Sequence, residues 1–154
     1  MAEALKVLSR RPYSEGELRD RLIRRRGRDP RLVEACIKRL KELGYINDDR
    51  FAQSYASYRV GLKPLGRNKL ARELAIRKVP KNSINTALDL VFEETAEDTL
   101  IDRAIARRIK TRGAPTDRAA SKRMFDHLSR LGFEYDLIVR KLRKLKAEPE
   151  EMDE

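Results

Sequence analysis

The sequence predicts an all-α protein: three tandem three-helix repeats forming an elongated, curved array. Three observations predict it. Apolar residues recur at spacings of three and four, and no stretch alternates with period two long enough to make a strand. Every proline, and every glycine except Gly16, falls at a break between those periodic segments. Finally, the pattern returns. Leu18-x3-Leu22 recurs as Leu70-x3-Leu74 and as Met124-x3-Leu128. Val33-x3-Ile37-x2-Leu40 recurs as Ile84-x3-Leu88-x2-Val91 and as Ile138-x3-Leu142-x2-Leu145. The first interval is 51 to 52 residues and the second is 54. Helical units of this period each need a neighbour to cover their apolar face, so they stack. The expected division is 1–46, 47–95 and 96–147 for the repeats, with 148–154 as an acidic, disordered tail.

In the first repeat, Ala4, Leu5 and Leu8 make a short amphipathic helix that ends before Arg10-Arg11-Pro12. Ser14 then caps a second helix, and Glu17, three residues on, completes a capping box. Leu18, Leu22 and Ile23 are its apolar stripe, and Gly27 ends it. Pro30 opens a third helix at a first-turn position, where a missing N–H costs nothing. Val33, Ile37, Leu40 and Leu43 line that helix until Gly44 closes it, with Tyr45 and Ile46 tucked under the break.

Asn47 and Asp48, both N-cap types, restart the pattern. A fourth helix runs through Phe51, Ala52, Tyr55 and Tyr58 to Gly61, the two tyrosines reading as core or interface packing residues, with stacking on bases as the alternative. A connector, 61–66, leads to a fifth helix through Leu70 and Leu74 to Lys78. Pro80 breaks the chain before the sixth, through Ile84, Leu88 and Val91. Ile101, Ile105 and Ile109 define a seventh, stopped by Gly113-Ala114-Pro115. Thr116 or Asp117 caps an eighth, through Met124, Leu128 and Leu131 to Gly132. Ile138, Leu142 and Leu145 define the last, which ends before Pro149.

Of the 154 residues, 40% are hydrophobic and 40% charged, with no Trp. No apolar run exceeds three residues, which excludes a transmembrane span and a signal-peptide core. The expectation is a soluble cytoplasmic protein that does not associate with membranes. The lone Cys36 allows no intrachain disulfide and reads as a packing residue. The formal net charge of +11 suggests a polyanionic or acidic partner. Residues 1–46 carry 13 basic and 7 acidic side chains, 47–95 carry 9 and 6, and 96–147 carry 14 and 7. The tail adds five acids and no base, so the folded part is more basic than the total.

Catalytic chemistry finds little support. His127 is the only histidine and sits between Met124 and Leu128, a half-exposed helical position rather than a metal ligand. Gly61-x4-Gly66-Arg67-Asn68 superficially resembles a phosphate-binding loop. It lacks the lysine, the Ser or Thr that would hold magnesium, and the preceding strand. The acid pairs Asp48-Asp49 and Glu93-Glu94 fall at helix ends and read as caps or solvated faces. No enzyme, cofactor or metal is expected.

Cations are more informative. Arg103, Arg107 and Lys110, with Arg108, lie opposite Ile101, Ile105 and Ile109. Arg140, Arg143 and Lys144 lie opposite Ile138 and Leu142, with Lys141 beside them. Arg24, Arg25 and Arg26 close the second helix; Arg67 and Lys69 open the fifth. A basic excess in every repeat suits a concave surface tracking phosphates, contacts that carry no base information.

Several stretches, in matching order and spacing over about residues 2–146, resemble one family. Gly44-Tyr45-Ile46-Asn47-Asp48-Asp49-Arg50-Phe51-Ala52 is similar to the Gly-Tyr-Leu-Asp-Asp-x-Arg-Phe-Ala signature of the RecX family of bacterial recombination regulators. Gly66-x3-Leu70-x2-Glu73-Leu74, with Val79 and Ile84, resembles its next motif. Leu131-Gly132-Phe133-x-Tyr135-x2-Ile138 resembles its closing one, and Ser14-x2-Glu17-Leu18-x3-Leu22 its opening one. Asn47 departs from the usual Asp but keeps capping chemistry. Residues 60–66 lack the most Arg- and Gly-rich form of the connector, and the acidic tail lies outside the pattern.

The resemblance implies three three-helix units and a cytoplasmic, non-enzymatic modulator of the RecA recombinase, usually inhibitory. Such a protein binds the RecA–DNA filament and limits its assembly, ATPase, strand exchange and coprotease activities. Single- and double-stranded DNA are secondary partners, and the protein is expected to act as a monomer. The alternative from the residues themselves is a DNA-binding protein, either a non-specific coat or a helix-turn-helix regulator.

Overall fold

A computed structural model of the chain describes residues 1–25 and 27–151, the side chains of 148–151 excepted. Among the described residues there are nine helices and no strand. They are α1 (Ala2–Leu8), α2 (Glu15–Ile23), α3 (Pro30–Glu42), α4 (Asp48–Leu62), α5 (Arg67–Ile76), α6 (Lys81–Glu94), α7 (Glu97–Arg112), α8 (Arg118–Arg130) and α9 (Tyr135–Glu151).

Local chemistry sets the helix ends. The Ser14 hydroxyl accepts from the Glu17 N–H and the Glu17 carboxylate accepts from the Ser14 N–H, which forms the expected capping box. Asp29 caps α3 ahead of Pro30, the Asn47 side chain accepts from the Arg50 N–H at the start of α4, and Asp117 caps α8. Three helices end in the same closure. The N–H of Tyr45 reaches back to the Leu40 carbonyl, that of Val79 to Leu74 and that of Phe133 to Leu128. The residue before each of these has positive φ: Gly44 at 78°, Lys78 at 60° and Gly132 at 96°.

Some boundaries differ from the sequence reading. α4 runs through Gly61 to Leu62, and α9 passes Pro149 to reach Glu151. The remainder of the proposed tail, residues 152–154, lies outside the described residues. Under the first break only Ile46 is buried; Tyr45 is 55% exposed. Ile23 and Leu43 stand at the rims of their stripes rather than in the core. No described helix is long and apolar enough to cross a membrane.

Two compact units result: Met1–Ala56 with Arg72–Leu90, and Ser57–Ala71 with Val91–Glu154. Their boundary falls inside α4, α5 and α6, so each unit joins one whole three-helix repeat to part of the middle one. In the first unit, Ala4, Val7, Tyr13, Leu18, Leu22, Val33, Ile37, Leu40 and Ile46 form one buried cluster, with Leu5, Leu8 and Cys36 packed at its edge. In the second, Leu100, Ile101, Ala104 and Ile105 of α7, Met124 and Leu128 of α8, and Phe133 and Ile138 are buried. Each Leu or Ile removed from water contributes about 1.5–3 kcal/mol, which is what draws these short helices together.

Candidate functional site

Within each unit the repeats meet through a tight backbone junction, and the two junctions follow one plan. In the first unit the N-terminus of α2 lies against the turn after α5. The Ser14 hydroxyl is within hydrogen-bond reach of the Arg77 carbonyl, and a Cβ on Gly16 would sit 2.7 Å from that of Lys78. The Asp48 carboxylate, from the start of α4, accepts the Glu15 N–H at 2.8 Å. In the second unit the N-terminus of α5 lies against the turn after α8. The Gly66 N–H donates to the Leu131 carbonyl at 2.8 Å and the Asn68 N–H to that of Gly132 at 3.0 Å. The Glu97 carboxylate, from the start of α7, accepts the Arg67 N–H at 3.0 Å. In both, a carboxylate of the following repeat satisfies an orphan amide at the N-terminus of an earlier helix. Burial, the largest influence, pushes the Asp48 and Glu97 carboxyls above their ordinary values, and the accepted N–H draws each part of the way back.

These junctions give Arg67 and Lys69 a structural setting. Arg67 is half-buried, with its amide committed to Glu97, and the backbone and Cβ of half-buried Lys69 press on Gly132.

α7 carries a row of open cations. Arg103, Arg107 and Lys110 are exposed and Arg108 is half-buried. Among the described residues no carboxylate pairs with any of the four. Arg107 and Arg108 line a groove of about 290 Å³ together with Ala104 and Thr111 of α7, Leu62, Lys63 and Pro64, and His127 and Leu131. None of these lining residues is acidic. His127 is half-buried there, and its pKa is lowered by burial first, then by the charges of Arg108, Arg130 and Lys63. Burial and the three positive charges both favour the neutral imidazole.

The cations of α9 are placed differently. Arg140 donates to Asp98 at 2.6 Å, and Lys141 bridges Asp98 at 3.3 Å and Asp102 at 3.0 Å, which clips α9 to α7. Burial works against the Lys141 charge, but its hydrogen bonds to Asp102 and Asp98 outweigh that and raise its pKa. Arg143 and Lys144 remain exposed, Lys144 at the edge of a cavity it shares with Lys141, Asp102, Ile105 and Ile109.

In the first unit, Arg24 lines a groove of about 420 Å³ with Arg11, Tyr13, Glu17, Asp20, Arg21 and Lys78. The Arg11 guanidinium lies 3.7 Å from the Tyr13 ring centroid. This groove is only partly compensated: Glu17 pairs with Arg11 and Arg77, and Asp20 with Lys78, while Arg21 and Arg24 have no carboxylate partner among the described residues. Arg25 pairs with Glu3, and Arg26 lies outside the described residues. Tyr55 is held by stacking on Phe51 and by a 3.0 Å bond to Glu73, whereas Tyr58 is exposed.

The structure thus brings Arg107 and Arg108 to one groove and separates them from Arg140 and Lys141. Sequence reasoning missed Lys63 and Arg130 and read His127 only as half-exposed. Spacing within one helix could not find them, because the groove is assembled from α7, α8 and the α4–α5 connector. Among the described residues no cluster of His, Cys, Asp or Glu could hold a metal ion.

Comparison with known proteins bears on the whole chain. The family model described as RecX, first three-helix domain, matches residues 1–40, and that described as RecX, second three-helix domain, matches residues 47–88. The regulatory protein RecX of Thermobifida fusca is 33% identical over 153 residues, spanning 99% of this chain and 82% of that protein. The protein of the same name from Halorhodospira halophila is 34% identical over 140 residues, spanning 88% and 81%. The crystal structure of RecX from Lactobacillus salivarius superposes with a TM-score of 0.82 at 20% identity, covering 95% of this chain and 94% of that one, a likeness of fold.

Proposed function

The chain belongs to the RecX family of regulatory proteins, and from that premise we propose that it is a non-enzymatic, inhibitory modulator of the RecA recombinase. It binds the RecA–DNA filament and limits filament assembly, and with it ATPase, strand exchange and coprotease activity. The supporting observation is the cationic surface of α7, on which Arg103, Arg107, Arg108 and Lys110 have no carboxylate partner among the described residues. An uncompensated basic face is attracted to a polyanion over about a Debye length, roughly 8–10 Å at physiological salt.

The test is RecA-dependent ATP hydrolysis on single-stranded DNA, with filament length read by electron microscopy. Equimolar protein is expected to lower the rate and shorten the filaments; unchanged rate and length would sink this reading. A second reading, direct binding to DNA, is favoured by the acid-free groove at Arg107 and Arg108. It predicts affinity for bare DNA that falls steeply with salt, measurable by filter binding across a salt series.

A further inference from the structure

The groove at Lys63, Arg107, Arg108 and His127 has a composition more specific than a basic patch. Its cations come from two elements, Lys63 from the α4–α5 connector and Arg107 with Arg108 from α7. Beside Thr111 and His127, the rest of its lining is apolar: Pro64, Ala104 and Leu131 are buried, and Leu62 stands 57% exposed. A site that sets two guanidiniums and an ammonium beside an apolar wall fits a ligand whose charge and flat apolar surface are adjacent. A nucleotide has that form, a phosphate next to a base.

We propose that this groove seats one nucleotide of a single nucleic-acid strand, the phosphate among Lys63, Arg107 and Arg108 and the base against Leu62 and Leu131. This deepens the direct DNA reading and rests on it. Guanidiniums suit phosphate oxygens through paired N–H donation, and an aromatic face, here the His127 imidazole, accepts an unstacked base without regard to sequence. A volume of about 290 Å³ is of the size of a single nucleotide. An acidic side chain of a protein would neutralise one cation of the three and leave the apolar wall uncovered.

His127 reports occupancy. The charges facing it are Lys63 from the connector, Arg108 from α7 and Arg130 from its own helix, with Arg107 and the Thr111 hydroxyl on the same groove wall. All of the charges are positive. A bound phosphate offsets part of that positive field, so binding raises the His127 pKa, and by linkage affinity increases as pH falls through it.

The experiment uses the full chain and a labelled oligothymidylate, read by fluorescence anisotropy across salt and pH, with the His127 ring signals followed by NMR. Arg107→Glu/Arg108→Glu is compared with Lys122→Glu/Arg123→Glu, which makes the same change in net charge at exposed positions of α8 that do not line the groove. The groove variant is expected to lose about tenfold or more in affinity and to flatten the salt slope by about 1. Leu62→Ala, which keeps every charge but removes part of the apolar wall, is expected to weaken binding about threefold. Oligothymidylate should move the His127 titration to higher pH. Equal losses in the two charge variants, or a His127 titration unmoved by oligonucleotide, would overturn the proposal. So would displacement of the oligonucleotide by a glutamate-rich peptide at comparable concentration, which would assign the groove to an acidic protein segment. Inhibition of RecA that persists while the oligonucleotide binds indifferently to Arg107 and Arg108 removes the subsite alone. Binding through the groove with RecA untouched supports the subsite and removes the filament reading.

Discussion

Asp48 shows how a residue's partner can lie outside its own helix. Its position at the start of α4 marks it as a cap, yet Asn47 caps α4, and the Asp48 carboxylate serves the Glu15 amide at the head of α2. Burial favours its protonated form, so this group's contribution to stability is present at acid pH. That contribution is lost as pH rises from the ordinary 3.8 through the raised value. Asp48→Asn keeps an acceptor for Glu15 without the charge. Urea melts across pH are expected to show it as stable as the wild type or more so at pH 7, with a smaller fall between acid and neutral pH. Asp48→Ala removes the acceptor and should cost about 1–2 kcal/mol. If Asn proves the more damaging of the two, the desolvation account is wrong. Glu97→Gln and Glu97→Ala should repeat the pattern in the second unit, where Glu97 holds the Arg67 amide.

Between elements, the closest approaches are made where one partner has no side chain. Gly16 faces Lys78, and Gly132 faces the backbone of Lys69. In an isolated helix, alanine at position 16 would be favoured over glycine by about 0.5–1 kcal/mol. Here its methyl would lie 2.7 Å from Lys78 Cβ and 3.2 Å from the Lys78 carbonyl oxygen, so the sign reverses. Gly16→Ala is expected to cost about 1–3 kcal/mol in equilibrium unfolding, the range for overpacking. Lys78 itself carries φ of 60°, costly for a side chain by about 1–2 kcal/mol. Adding Lys78→Gly to Gly16→Ala should therefore recover most of the loss, and an additive double mutant would refute the contact. Gly27→Ala supplies the contrast: with φ of 81° but nothing within 4 Å, it should show the backbone penalty alone. The sequence marked Gly16 only as the glycine that did not fall at a break. Its reason lies 62 residues away, at a turn no local pattern connects to it.

For the whole molecule, charge divides into two populations. Arg140 and Lys141 are engaged with Asp98 and Asp102, whereas Arg143 and Lys144 have no such partner among the described residues. Arg140→Glu/Lys141→Glu would set like charges beside Asp98 and Asp102 and is expected to lower the thermal midpoint. Arg143→Glu/Lys144→Glu should leave it within error. The same pairs tested for RecA inhibition separate damage to the fold from damage to a contact. Equal midpoints for both would show that the α7–α9 clip is immaterial to stability.

The helices and the family were legible in the amino-acid order, because both are local. Helix identity follows from apolar spacing, ends from Ser14, Pro30, Asn47 and Gly132, and kinship from motifs read in register. The order also set the +11 balance. Only the tertiary structure decided which cations remain open, since compensation depends on carboxylates far along the chain. It withdrew Arg140 and Lys141 into ion pairs and added Lys63, Arg130 and His127 around Arg107 and Arg108. It also revealed that motif residues Gly66 and Leu131–Gly132, apparently independent in sequence, share one backbone contact. Linear spacing encodes which face of a helix is apolar. What that face and its opposite will meet is set by how helices distant in sequence are packed.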